Sequence, residues 1–390
     1  MKLKLRAAAL ITVSLIGLTA LSCKGRQENA NQQSAPAAEP KPGRWVAQYR
    51  SPASASYAGA NLALFSYSGI SVVSPSVVFV CGDVPKAKSG EQRVAVIVRT
   101  TDGGQNWIET LIDLPGFQIP TLNAIHFISA DVGWAVGADF SGNGVVLKTT
   151  DGGLSWAAAK LPHKQVPTSV FFADADTGWI GGATPPPGED EGAGGPSAIL
   201  ATSDGGATWH PQYNVPISIH RVFFIDRDTG WASGSRGRIY NTTDGGRTWD
   251  TQRTEIELTE GPVDLKDEAV KQFVVRGVQF TDKEHGFACA GAEDGGAGRV
   301  LATSNGGATW RRTWIVVGNR VQDVFFLNAN EGWALVDGGQ YVYRTVDSGR
   351  TWLSEPKVFE QDVPLLRLGA ADAGHVWAVG GGAIFFRLKE

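Results

Sequence analysis

From about residue 70 to its end, the chain alternates between two hydrophobic signatures, each a short apolar run cut off by a polar turn. The first is an apolar pair, an Asp-rich turn, then an aromatic residue followed by small residues and Gly. It occurs at Phe127 to Gly137, Phe172 to Gly182, Phe224 to Gly234, Phe280 to Gly291 and Phe326 to Trp333, with weaker copies at Val72 to Gly82 and Leu368 to Gly380. The second reads Thr, any, Asp, any, Gly, any, small polar, Trp, and it ends at Trp107, Trp156, Trp209, Trp249, Trp310 and Trp352. Its acidic position is held by Asp102, Asp151, Asp204, Asp244 and Asp347, with the isostere Asn305 in the remaining copy. Only Trp314 of the 13 tryptophans lies off a repeat position, so the repeat is not a chance pattern.

Runs of β-branched and aromatic residues bounded by Gly and Asp read as strands. A period of roughly 40 to 60 residues suits a four-stranded propeller blade. In the fourth unit, Val222-Phe223-Phe224 is expected innermost, then Gly230 to Ser233, Arg238 to Asn241 and the strand after Trp249. The first signature counts seven units and the second six. Circular closure accounts for the difference: the chain ends at Ile384-Phe385-Phe386-Arg387-Leu388, where a turn and fourth strand should follow, and Gly43-Arg44-Trp45-Val46-Ala47 reads as that missing end. The expected fold is therefore all-β, a seven-bladed β-propeller of four-stranded blades in which the N-terminal strand completes the last blade and removes free sheet edges. One short helical turn is expected in Val263 to Lys271.

The N-terminus changes the picture of where the domain works. Lys2, Lys4 and Arg6 precede an apolar stretch, Ala7 to Leu21, that is short for a membrane span. Residues 1–22 read as a signal peptide, and Ala20-Leu21-Ser22-Cys23 resembles a bacterial lipoprotein processing site with Cys23 as the lipidated residue, plain secretion being the alternative. Residues 24 to 43 are polar, Ala- and Pro-rich, and read as a disordered tether before a domain over 43–390. Loss of the three leader cations takes the formal charge from −4 to −7, which does not suggest nucleic acid as a partner.

Candidate chemistry is sparse. Cys81 and Cys289 occupy the same place in the first and fifth units, too far apart in a radial array for a disulfide, and read as buried thiols. The Asp positions read as turn staples, because six copies around a ring cannot share one active site. Six scattered histidines give no zinc spacing, and Glu189-Asp190-Glu191 reads as a solvated charge run before it reads as a Ca²⁺ loop. No cofactor or metal is expected. Long insertions (residues 84–92, 110–122, 184–197, 253–272 and 292–298) all fall on one class of connection, so one face is elaborated and the other, carrying the Asp turns, is plain. Alignment of the innermost strands places Asn123, Thr168, His220, Arg276 and Gln322 at the mouth of the channel on the elaborated face, a candidate binding ring or simply a hydrated mouth.

The Asp turns resemble the bacterial neuraminidase repeat, the Asp-box of sialidases, sortilin-type receptors and several glycosidases. Their alternation with Phe-Phe-x-Asp-x-x-x-Gly-Trp-Ala-x-Gly, as in residues 223 to 249, most resembles the photosystem II stability and assembly factor family over about residues 43 to 390. That resemblance implies a non-catalytic, often lipid-anchored propeller that assists assembly of a membrane protein complex, here a monomeric envelope scaffold with a membrane-associated protein partner. The loops at Pro185-Pro186-Pro187 and residues 254 to 272 depart from the family. The competing readings are a sialidase-like glycoside hydrolase, which needs paired carboxylates or a Tyr nucleophile with clustered arginines, and a glycan-binding propeller. No arginine cluster can be assembled in sequence around Tyr240, Tyr341 or Tyr343, and seven units depart from the six of sialidases.

Overall fold

The computed structural model describes residues 43–52, 65–86, 92–183, 197–252, 273–292, 297–316, 319–336, 341–356 and 363–389. The expected leader (1–22), Cys23, most of the tether, the turn at Val263 to Lys271, the prolines 185–187 and the acidic run 189–191 lie outside these residues.

Seven four-stranded antiparallel sheets are formed, six of them consecutive in sequence: blade 1 over residues 66–111, blade 2 over 121–160, blade 3 over 166–215, blade 4 over 219–252, blade 5 over 273–316 and blade 6 over 321–355. Blade 7 is composite. The strands Leu365–Asp372, His375–Gly380 and Ala383–Leu388 are completed by Arg44–Arg50, which pairs antiparallel with Ala383–Leu388. Each innermost strand touches the next, and that of blade 7 touches that of blade 1, so the ring is closed.

One three-ring cluster, repeated, holds five consecutive seams. The second-strand aromatic of one blade stacks flat on the inner-strand Phe of the next: Phe79 on Phe127, Trp134 on Phe172, Trp179 on Phe224, Trp231 on Phe280 and Phe287 on Phe326, with centroids 3.4–3.6 Å apart. The turn tryptophans Trp156, Trp209, Trp249, Trp310 and Trp352 meet the same Phe rings edge-on. Such pairs add roughly 0.5–1.5 kcal/mol each beyond area burial. Lying flat requires a bare backbone beneath the ring. Each Phe is register-paired with the glycine of a Gly-aromatic pair, and a Cβ there would come within 2.3–2.6 Å of the ring. Blades 1 and 7 have Val72 and Ala370 in place of Phe, and opposite them valines, Val78 and Val376, in place of Gly.

The two seams flanking blade 7 therefore lack the aromatic cluster, and carboxylates do its work. From the last strand of blade 6, Glu355 accepts hydrogen bonds from the Trp45 indole (2.8 Å), the Gly43 amide (3.3 Å) and the Arg387 guanidinium (2.7 Å). The Arg387–Glu355 pair is buried, with side chains 2% and 0% exposed. From the last strand of blade 1, Glu109 accepts from Tyr49 (3.0 Å), Tyr67 (2.9 Å) and Ser51 (3.2 Å). The N-terminal strand is thus gripped from both neighbouring blades.

Candidate functional site

Every innermost strand carries a β-bulge near its first residues, and the bulged positions are Ser68, Asn123, Thr168, His220, Arg276, Gln322 and Leu366. A bulge leaves one residue out of the ladder and re-aims its side chain. The five residues singled out in sequence are thus equivalent in the fold, and Ser68 and Leu366 complete the ring. Two of them are committed to holding the ring together: the Asn123 amide donates to Pro167 O (2.8 Å), and the Thr168 hydroxyl donates to Ile219 O (2.6 Å), each in the next blade. His220 Nε2 lies 3.2 Å from the Ser235 hydroxyl. Burial, with the charges of Arg276 and Arg367 nearby, pushes the His220 pKa down to about 4, so its imidazole is neutral at pH 7.

One residue beyond the bulge the ring reads Gly69, Ala124, Ser169, Arg221, Gly277, Asp323 and Arg367. Small residues are the rule there, and the three exceptions are charged. Arg221 Nη2 lies 3.2 Å from Asp323 Oδ1, and the other Asp323 oxygen accepts the Leu368 amide (3.0 Å). Arg367 donates to Leu366 O (2.9 Å), and burial together with Arg221 lowers its pKa from the usual arginine value. The fold therefore gathers arginines that no sequence spacing brings together. Tyr49 and Tyr67 both donate to a carboxylate, Glu109, at a seam.

These strands border a cavity of about 240 Å³ in the channel, lined by Arg221, Arg367, Ser68, Asn123, Thr168 and His126 among others, with Phe171 and Phe223 in its wall and, among the described residues, no Asp or Glu. His126 Nε2 lies 3.1 Å from Phe172 O, which fixes the donor nitrogen, and burial pushes its pKa to about 4. Cys81 and Cys289 are buried free thiols register-paired with Gly69 and Gly277 of the same ring. Burial raises both, Cys289 to about 12.

The opposite face carries the Asp turns. In blade 4, Asp244 Oδ1 accepts from the Thr242 hydroxyl (2.8 Å) and the Thr248 amide (2.9 Å), and Oδ2 accepts from the Thr248 hydroxyl (2.7 Å). The Thr242 hydroxyl in turn receives the Gly246 amide (2.8 Å), and Gly245 and Gly246 take φ of 75° and 89°. These hydrogen bonds hold the Asp244 pKa down at about 2, with Asp102 and Asp151 alike. Asn305 builds the same turn, accepting the Thr309 amide and donating to its hydroxyl. Among the described residues no three His, Cys, Asp or Glu side chains converge as a metal site.

No protein-family profile matches the chain, and no curated protein matches it by sequence. Solved structures match it by shape. A structure of YCF48 bound to a D1 peptide superimposes with a TM-score of 0.61 at 15% identity, covering 90% of this chain and 98% of that one. YCF48 from Cyanidioschyzon merolae gives 0.58 at 17% identity over 88% and 98%. The GH74 enzyme of Niastella koreensis gives 0.55 at 16% identity over 80% of this chain and 50% of that one. What is shared is the fold. It is the fold of a peptide-bound protein and of a glycoside hydrolase alike, so function has to be argued from the site.

Proposed function

We propose that the protein is an exported, lipid-anchored binding scaffold without catalytic activity, whose bulge-ring face receives a membrane-associated protein partner. The observation that carries this reading is the wall of the channel cavity, which among the described residues presents two arginines and no carboxylate. Glycoside hydrolysis of the usual kind needs two carboxylates about 5–9.5 Å apart flanking the scissile bond. Asp323, beside the cavity, has both oxygens occupied by Arg221 and the Leu368 amide. The turn carboxylates on the other face are engaged by their own turns. The mouth is edged by the seven bulges of the inner strands, and recognition on such scaffolds is usually found at the ends of the strands. The YCF48 propeller bound to a D1 peptide shows that this fold can receive a polypeptide, and the leader with Cys23 supports an envelope location.

The test is chemical crosslinking in the native host followed by mass spectrometry, with Arg276→Glu as the probe of the mouth. The variant is expected to fold and to lose most of the partner crosslinked to the wild type. Unchanged capture would remove the mouth as the docking face, and turnover of fluorogenic glycoside substrates by the purified chain would replace the scaffold with an enzyme.

A further inference from the structure

Among the described residues, the ring one residue beyond the bulges holds two arginines, Arg221 and Arg367, and one carboxylate, Asp323. Arg221 and Arg367 line the cavity, and among the described residues Asp323 is the carboxylate that meets them. Arginine cannot discharge itself by losing a proton near neutral pH. A cation kept out of bulk water needs a partner, and Asp323 already gives one oxygen to Arg221 and the other to a backbone amide. His220 and His126 are neutral and add no compensating charge.

The wall is two-sided. Two residues further along the inner strands, about 6.6 Å deeper, stand Phe171 and Phe223, whose rings lie 5.5 Å apart. The His126 ring lies against Phe171 at 4.5 Å. A cavity of about 240 Å³ is smaller than the roughly 300–1,000 Å³ of drug-sized sites, so its occupant is a small molecule. A guanidinium pair at one level and aromatic rings at the next suit a ligand that is anionic at one end and apolar at the other.

We propose that the channel is a binding site for a small organic carboxylate, its carboxylate held by Arg221 and Arg367 and its apolar body directed toward Phe171 and Phe223. Planar guanidinium groups match a carboxylate in fork geometry, and the rings exclude the apolar part from water. Asp323 orients Arg221 and leaves Arg367 as the freer donor. The site is independent of the protein partner proposed above and stands whether or not partner capture succeeds.

Thermal-shift and ligand-observed NMR titrations of the full chain with sodium benzoate, benzamide and sodium phosphate test it. Benzoate is expected to raise Tm saturably, benzamide to have no effect, and Arg367→Gln to weaken benzoate at least about tenfold, the worth of one charge-assisted hydrogen bond. The benzoate–benzamide comparison uses only the wild-type chain, so it decides the matter even if Arg367→Gln does not fold. Equal responses to the two aromatics, no saturable response to benzoate at several millimolar, or a stronger response to phosphate than to benzoate would each overturn the assignment.

Discussion

Replacing Glu355 with Ala should unlatch the ring at its composite blade. The substitution strips the acceptor from the Trp45 indole and the Gly43 amide and leaves the Arg387 guanidinium, 2% exposed, without its carboxylate. Breaking a buried pair by removing one partner costs about 3–5 kcal/mol. The orphaned indole N–H adds a desolvation penalty of about 1–3 kcal/mol that is not fully additive. At about 2 °C per kcal/mol for a large domain, the pair alone corresponds to a fall in Tm of about 6–10 °C. Calorimetry gives the magnitude, and amide exchange locates it. Protection should be lost first in Arg44–Arg50, while the strands of blades 3 and 4, far from the latch, keep theirs. A double variant, Glu355→Leu with Arg387→Met, removes both charges and should recover most of the loss, because an apolar pair of similar volume is often neutral. A single variant that costs less than about 1 kcal/mol, or a double variant no better than the single, would refute the latch.

The other seams fail differently. Gly230→Ala places a Cβ within 2.3 Å of the Phe224 ring, itself stacked 3.6 Å from Trp179, and should cost about 1–3 kcal/mol by overpacking in urea unfolding; the same change at an exposed turn such as Gly116, where nothing lies within 4 Å of the added carbon, tests only the positive-φ strain. The turn aspartates set the acid limb: with folded values near 2 for Asp102, Asp151 and Asp244 and about 3.9 unfolded, their stabilisation is present above about pH 4 and lost as pH falls through about 2. Asp244→Asn, which can rebuild the turn as Asn305 does, should therefore flatten the acid-unfolding curve between those values, and an unaltered curve would count against the turn as its source. Cys81 and Cys289 should resist a thiol reagent such as DTNB in the native state and react together on unfolding, because burial holds both in the thiol form.

The blade count and its circular closure were legible because the tryptophans recur with the turns, and an indole has few other ways to be buried at a fixed place in each sheet. The coupling of Phe to Gly was also present in the sequence: in five inner strands the Phe faces Gly, and in the other two Val72 and Ala370 face Val. It passes unnoticed until register shows which residues oppose. The latches were not legible, since Glu355 and Arg387 stand 32 positions apart and Glu109 and Tyr49 stand 60 apart, with no spacing rule to join them. The site was half legible. Aligning the inner strands found the bulged ring, but the bulge shifts the side-chain phase by one, so the charges sit one residue later, at Arg221, Asp323 and Arg367. A column of small residues interrupted by three charges was the signal available. Asn123 and Thr168, chosen as binding residues, spend their polar atoms on the neighbouring blade.

The direct test of the functional account compares the two faces of one blade. Phe140, 63% exposed on the bulge-ring side of blade 2, and Leu154, 70% exposed in its Asp turn, are matched apolar positions. A photo-crosslinking amino acid at each, activated in the native host, should yield one discrete envelope-protein adduct from position 140 and none from position 154. A discrete adduct from position 154 alone, or equal adducts from both, would contradict the claim that this propeller presents its bulge-ring face to a partner.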